Sequence, residues 1–321
     1  MIRLAIGLGI TAVLVLVSLF VGVTDISPLD MLRGDFSAQQ LQVIMASRIP
    51  RTSALVLAGS ATAVAGLVMQ MIVRNRFVEP STAGTMESAA LGLLTVTLLA
   101  PGWPVMAKML VAALFALAGT ALFLRILRMV PLRDVLLVPL VGIMLGGVIG
   151  AVSTFIAYRY GLMASLGAWS MGDFSGVLRG RYELLWIAGI LAIAAYLAAD
   201  RLTLAAMGRD FTTNLGLNYR TTVWLGLVIV SLVSAVVLVT IGTIPFLGLI
   251  VPNIVTMMIG DNLRRAVPWV AISGAGLVLA CDILGRTLRA PYEIPISTML
   301  GLIGSIAFLY LLLRKRHHAP A

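Results

Sequence analysis

The sequence predicts an all-α, polytopic integral membrane protein of about ten transmembrane helices. Three observations predict it. Hydrophobic residues make up 60% of the 321 and charged residues only 11%, against roughly 45–50% and about 25% in soluble domains. Mean hydropathy is +1.05. Apolar runs of about 16–23 residues recur along the whole chain, close to the roughly 20 that cross a hydrocarbon core. Little is left for a soluble domain, so residues 1–321 read as a single membrane domain.

The first run, Leu4 to Val23, follows Met1-Ile2-Arg3. It is longer than the apolar part of a secretory signal, and no small-x-small pattern precedes Thr24-Asp25, so an uncleaved span is expected. Further runs lie near 52–73, 87–106, 107–125, 135–157, 184–199, 222–243, 245–260, 266–285 and 294–313. The third holds Pro101, Gly102 and Pro104, and the eighth holds Pro252 and Asn253. Lipid offers no partner to backbone groups freed by a break, so both segments are expected to face the protein interior. Span five carries Gly142, Gly146 and Gly150, a small-residue strip that suits close helix packing or the wall of a path.

Between spans six and seven, Ala206 to Asn218 is too polar to span and too long for a tight turn. It predicts one or two short helices, with Thr212 and Thr213 as caps and Gly216 as a terminator. The segment about 203–219 suits docking on another protein, a plain interfacial helix being the competing reading.

With the first span starting in the cytoplasm, fourteen of the 23 Lys and Arg fall in inside loops, which places both termini inside. Asp25, Asp30 and Asp35 are expected to screen Arg33 on the outside, whereas Arg48 and Arg51 have no acidic neighbour in sequence. The motif Arg48-Ile49-Pro50-Arg51 presents two guanidiniums at the outer end of span two. Guanidinium forks match carboxylates, and snorkelling to lipid headgroups is the alternative.

The net charge of +10 sits in small clusters between apolar runs. It reads as a topology signal, and nucleic acid is not expected as a partner. Cys281 is the only cysteine, which excludes an intrachain disulfide or a cysteine metal site. His317 and His318 are the only histidines and no acidic cluster has ligand spacing, so neither a metal site nor a catalytic constellation is expected. The sequence has no G-x-x-x-x-G-K-[ST] loop, so ATP chemistry must come from a partner. Ionisable residues deep in spans are informative. Asp282 is the main candidate, and pairing with Arg286 at i, i+4 is favoured over a proton relay. Glu79, Glu87, Asp134, Asp200 and Asp261 are placed near inner ends.

These elements occur in an order that resembles the FecCD family, the permease subunits of binding-protein-dependent ABC importers for iron-siderophore complexes, haem and cobalamin. The family's Arg-x-Pro-Arg motif and its long span ending in Gln and Arg-Asn-Pro-Leu-Ala-x-Pro are matched by Arg48 to Arg51, Gln70 and Arg74 to Pro80. Its Gly-x-Ile-x-Phe-x-Gly-Leu-x-x-Pro-His signature is similar to Gly242, Ile244, Phe246, Gly248, Leu249 and Pro252. Its Gly-Asp-His-Arg, Ala-Asp-x-x-x-Arg and Glu-x-Pro-x-Gly elements resemble Gly260 to Arg264, Cys281 to Arg286 and Glu293 to Ser297. Arg76 stands in place of a usual Pro, Asn253 of a usual His and Thr212 of a usual Ala. The first two resemble the branch serving catecholate or related siderophores.

The resemblance implies a type II, cobalamin-importer-like permease in the bacterial cytoplasmic membrane, carrying ferric siderophore, with haem or cobalamin as alternatives. It implies a second permease subunit, identical or homologous, two ATPase subunits and an outer substrate-binding protein. No cofactor is implied in this subunit, ATP and Mg residing in the ATPase. Arg48, Arg51 and Arg286 match family arginines that receive acidic side chains of the binding protein. Gly208, Arg209, Asp210, Thr212, Leu215 and Gly216 would form the coupling element. Gly142, Gly146, Gly150, Phe246, Pro252 and Asn253 would lie near the path and its gates. An ion-coupled secondary transporter is the reading from another class.

Overall fold

The computed structural model describes residues 2–22, 37–129, 136–180, 182–289 and 292–316. Arg33, Asp25, Asp30, Asp35, Asp134, His317 and His318 lie outside them. All regular structure among the described residues is helical.

The chain opens with α1 (Ile2–Phe20). Next, α2 (Ala38–Val43) starts on a capping box in which the Ser37 Oγ accepts from the Gln40 N–H and the Gln40 side chain accepts from the Ser37 N–H. A π-helical turn, Ile44–Arg48, runs without interruption into α3 (Ile49–Val73). Pro50 therefore lies inside a continuous helix, and the Ala46 carbonyl that its missing N–H leaves free accepts instead from the Arg179 N–H at 3.1 Å. Helix α3 is the axis of the molecule, buried along most of its length. It packs on α13 (Leu263–Thr287), α12 (Leu247–Ile259), α11 (Tyr219–Ile241) and α8 (Leu185–Leu197).

Two glycine contacts set the closest of these approaches. A Cβ on Gly66 would stand 2.1 Å from the Gly248 carbonyl oxygen, and one on Gly59 would stand 2.8 Å from that of Gly274. Backbones meet here with no room for a side chain, as small residues permit between membrane helices.

Helices α4 (Thr85–Leu99) and α5 (Val105–Met129) form a packed hairpin. The expectation of a broken third span facing the interior is corrected at this point. Helix α4 ends at Leu99, and Pro101, Gly102, Trp103 and Pro104 form an exposed turn between two helices. Proline there stops a helix instead of kinking one. Helix α6 (Leu137–Arg159) leads into the short α7 (Met163–Ser170). The sixth span is two helices, α8 and α9 (Ala199–Met207), bent by 61° at Ala198. Then come α10 (Arg209–Asn214) and α11, whose N-terminus is capped by the Asn218 side chain. Helices α12, α13 and α14 (Ile296–Arg316) complete the bundle.

Five of these helices, with α2 and α3 counted as one, are long and apolar enough to cross a membrane; the bent α8–α9 pair makes a sixth. Shorter apolar helices occur at Leu4–Phe20, Thr85–Leu99, Leu247–Ile259 and Ile296–Tyr310. Together they match the ten apolar runs of the sequence one for one.

Candidate functional site: charged rim, half-helix and polar loop

Four charged side chains from three parts of the chain meet at the end of the bundle where α3 begins and α13 finishes. The Arg51 Nη2 and Nε donate to Asp282 Oδ1 at 2.7 and 3.2 Å, and its Nη1 donates to Glu293 Oε2 at 2.8 Å. Asp282 Oδ2 lies 2.5 Å from Arg286 Nη2, an ion pair that does not align a hydrogen bond. The i, i+4 pair read from sequence is therefore present, and Arg51 joins it from 231 positions away.

Arg286 also donates to the carbonyls of Ser18 and Val21 at 3.2 and 2.7 Å and to the Ser18 Oγ at 2.8 Å. Arg48 Nη1 donates to the carbonyls of Leu19 and Phe20 at 2.8 and 3.0 Å. These carbonyls are at the C-terminus of α1, where a helix leaves acceptors unmatched and carries partial negative charge. Two arginines thus close the end of α1. Arg48 is 6% exposed, Arg286 9% and Asp282 1%. The Arg51 side chain is 13% exposed, and that of Glu293 30%. The three arginines expected to receive a docking partner stand together at this rim, two of them buried.

A half-helix forms the second part of the site. Helix α11 ends at Gly242, at φ +88°, and the chain turns back through Phe246 into the 13 residues of α12. Phe246 sits in the left-handed region at φ +62°, rare for a bulky residue. Its N–H is held at 2.9 Å by Glu79 Oε1, which also accepts from the Ser81 Oγ at 2.5 Å. A carboxylate thereby faces the N-terminus of α12, where the helix dipole favours negative charge.

The placing of Glu79 and Glu87 near inner ends is corrected. At 1.5 Å per residue the N-terminus of α12 stands about 20 Å from its other end. Glu79 is there, 2% exposed, against Gly248 beside the Thr62 carbonyl of α3. The polar turn after α3 folds inward, burying Asn75, Phe77, Val78 and Glu79. The Asn75 side chain accepts from the Phe77 N–H at 2.8 Å to set this turn. Glu87 follows in α4, with a buried Oε2 that has no hydrogen-bond partner among the described residues.

Pro252 lies inside α12 and cannot donate to the carbonyl of Gly248 four residues before it. Gln70 fills that gap, its Nε2 donating to Gly248 O at 3.1 Å. Asn253 Nδ2 donates to the carbonyls of Leu249 and Arg76, both at 2.7 Å. Arg76 in turn pairs with Asp261 at 2.6 Å beyond the other end of α12. The two departures at Arg76 and Asn253 thus tie one segment to one helix. The eighth span is sheltered by protein, as its proline required.

The glycine strip of α6 divides into two parts. A Cβ on Gly142 would stand 2.0 Å from the Thr82 carbonyl oxygen, and one on Gly146 would stand 3.2 Å from the Glu87 carboxyl carbon. Gly150 has open space before it. Packing accounts for the first two and not for the third.

In the loop between α9 and α11, Gly208 (φ +127°) separates α9 from α10, and Gly216 (φ +76°) follows α10. Thr212 is fully buried and caps nothing: its Oγ1 donates back to the carbonyls of Gly208 and Leu204 at 2.5 and 2.9 Å, joining α10 to α9. Thr213 likewise bonds back to Arg209 and Asp210, so the capping expectation for both threonines is corrected. Arg209 and Asp210 are exposed, and Met207, Phe211 and Leu215 add apolar side chains 58%, 44% and 54% exposed. Among the described residues, no group of His, Cys, Asp and Glu could hold a metal ion.

Glu79, Gln70 and Glu87 are the functional candidates that sequence reasoning missed. For Gln70 a signal existed, since Pro252 demands a donor for Gly248 from elsewhere. For the glutamates the inward fold of the turn carries the information, and only tertiary contacts reveal it.

The family model described as the FecCD transport family matches residues 10–314. The petrobactin import system permease protein of Bacillus subtilis is 49% identical over 307 residues, 96% of each chain. A petrobactin import system permease protein of Bacillus anthracis is 46% identical over 96% of this chain and 90% of its own. The ferric-anguibactin transport system permease protein of Vibrio anguillarum is 40% identical over 84% and 86%. Among solved structures, a metal-chelate type ABC transporter in an inward-facing conformation superposes with a TM-score of 0.79 at 24% identity, covering 97% of this chain and 99% of that one, which shows a shared fold. The chain is a multi-pass membrane protein of the FecCD transport family.

Proposed function

We propose that this chain is the membrane permease subunit of an ATP-driven importer that carries ferric siderophore into the cell. The observation that carries this reading is 49% identity over 96% of both chains to a petrobactin permease. Two further siderophore permeases, at 46% and 40%, support it. The vitamin B12 permeases of the same family are more distant, the first at 30%, which favours a ferric chelate over cobalamin.

In this reading the subunit pairs with a second permease, identical or homologous, in the cytoplasmic membrane. Two ATPase subunits supply ATP and Mg chemistry from the inside, and a binding protein delivers the chelate from the outside. Both termini face the cytoplasm. The binding protein docks on the rim held by Arg48, Arg51 and Arg286. Arg51 has the most accessible guanidinium of the three, and its bond to the partly exposed Glu293 is the one an incoming carboxylate can exchange. Buried Arg48 and Arg286 hold α1 and α13 in register beneath it.

The ATPase engages the loop of Gly208, Arg209, Asp210, Thr212, Leu215 and Gly216, where exposed apolar side chains flank exposed charge. Thr212 makes α10 and α9 move as one piece. A displacement there reaches α11 directly, and through it the half-helix that starts at Phe246. Helix α12 is held by Glu79, Gln70 and Asn253, bonds that can be remade after a shift without exposing backbone to lipid. Gly150 and the open part of the α6 strip, with Phe246, Pro252 and Asn253, border the path. Alternating access then follows from two packings of the bundle whose relative stability the ATPase sets.

The test is uptake of radiolabelled ferric siderophore into cells lacking their own permease and supplied with this chain, its ATPase and its binding protein. Uptake that requires the ATPase and survives an uncoupler supports the reading. Uptake without the ATPase and abolished by the uncoupler would establish an ion-coupled transporter, with Glu87 the first residue to test.

A further inference from the structure

A cavity of about 1500 Å³ lies between α5, α10 and the start of α11. Arg74, Arg125, Arg128, Arg209 and Arg220 line it, with Asp210 as the one carboxylate in its wall. All five arginines are exposed, and among the described residues none forms an ion pair. Arg74 donates to the Ala205 carbonyl at 3.4 Å. An excess of four positive charges therefore faces one concave space, where mutual repulsion calls for an anion.

The rest of the wall identifies the anion's class. Ala121 and Leu124 belong to the turn of α5 on the membrane side of Arg125 and Arg128. Val223, Trp224 and Leu227 lie one and two turns into α11 from Arg220. Trp224 is 42% exposed, an amphipathic ring of the kind that settles at headgroup level. The cavity thus runs from a cationic mouth to apolar faces of two spanning helices. A soluble protein reaches the mouth alone, whereas a lipid reaches both regions.

We propose that this cavity is a binding site for an anionic phospholipid, with its phosphate held by Arg125, Arg128 and Arg220 and an acyl chain laid against Leu124 and the exposed ring of Trp224. Guanidinium forks match phosphate oxygens in pairs. Basic pockets between transmembrane helices select such headgroups on the same physical grounds. The site adjoins α10, so an occupied cavity ties the loop from Gly208 to Gly216 to the membrane surface. The inference does not depend on the cargo, and it requires only that this end of the bundle lie at the membrane surface.

The experiment uses the purified full chain, titrated in detergent with phosphatidylglycerol or phosphatidylcholine and read by native mass spectrometry, with and without inorganic phosphate as competitor. The expected result is selective retention of phosphatidylglycerol and a loss on the order of 100-fold in affinity in the R125Q/R128Q/R220Q variant, each cation near the anion contributing about fivefold. Thermal unfolding in phosphatidylcholine nanodiscs checks that the variant folds. If it does not, the single variant R128Q, expected to lose about fivefold, carries the test. Equal binding of the two lipids, or unchanged affinity in the variants, would overturn the proposal. Displacement by phosphate at comparable concentration would show the site to be one for free phosphate instead. Unchanged lipid affinity with loss of ATPase co-purification would assign the cavity to a protein interface.

Discussion

Asp282 and Glu293 contact the same guanidinium, yet their environments predict very different consequences of neutralising them. Asp282 is 1% exposed between Arg51 and Arg286. Removing one member of a buried ionic group leaves uncompensated charge and costs about 3–5 kcal/mol. Glu293 is partly exposed, and an exposed pair contributes about 0.2–1 kcal/mol. Thermal unfolding in nanodiscs is therefore expected to show Asp282→Asn as strongly destabilising and Glu293→Gln as nearly neutral; equal effects would contradict this geometry. Gln70 offers a sharper test. Gln70→Ala leaves the Gly248 carbonyl buried and unmatched, at a cost of about 1–3 kcal/mol. In a Pro252→Ala background the helix supplies its own N–H, so the penalty for losing Gln70 is expected to shrink. Additive effects in the double-mutant cycle would show that the two residues do not share that carbonyl. The Asp282–Arg286 pair was legible from spacing alone, because both ends lie on one helix. Arg51 and Gln70 were not, since their partners come from helices distant in sequence.

At the scale of elements, all ten apolar runs became helices because their composition leaves no alternative in lipid. The third boundary was misread because Pro101 and Pro104 fit a break within a span as well as a turn between two. The turn at Arg74 to Gly84 was legible as polar and rich in breakers. Its course into the bundle was not, because Asn75, Glu79 and Asn253 set it through tertiary hydrogen bonds. The α6 strip gives a prediction of its own. Gly142→Ala places a methyl group 2.0 Å from the Thr82 carbonyl oxygen and is expected to lower folded yield sharply, as overpacking of a dense core does. Gly150→Ala meets nothing and is expected to leave yield unchanged, so any loss of transport there reports on the path. Size-exclusion yield beside uptake separates the two. A Gly150→Ala protein that fails to fold would remove the distinction between packing and path.

Across the whole molecule, the arrangement is a buried axis, α3, with a charged clasp at one end and the loop from Gly208 to Gly216 at the other. Between them stands a half-helix whose N-terminus rests on a carboxylate from a separate turn. Docking at the clasp is expected to compete with Glu293 for Arg51, so Glu293→Gln should tighten association with the binding protein while Arg51→Gln weakens it, as read by surface plasmon resonance on nanodisc-held complex. The reverse order would place docking elsewhere on the outer face. The account's central claim, ATP-driven import of ferric siderophore, is tested most directly in proteoliposomes that hold this chain with its permease partner and ATPase, ATP being enclosed. Radiolabelled ferric siderophore presented on its binding protein should accumulate only with ATP and should be indifferent to an uncoupler. Accumulation that follows a proton gradient without the ATPase, or none with any ferric chelate, would contradict it.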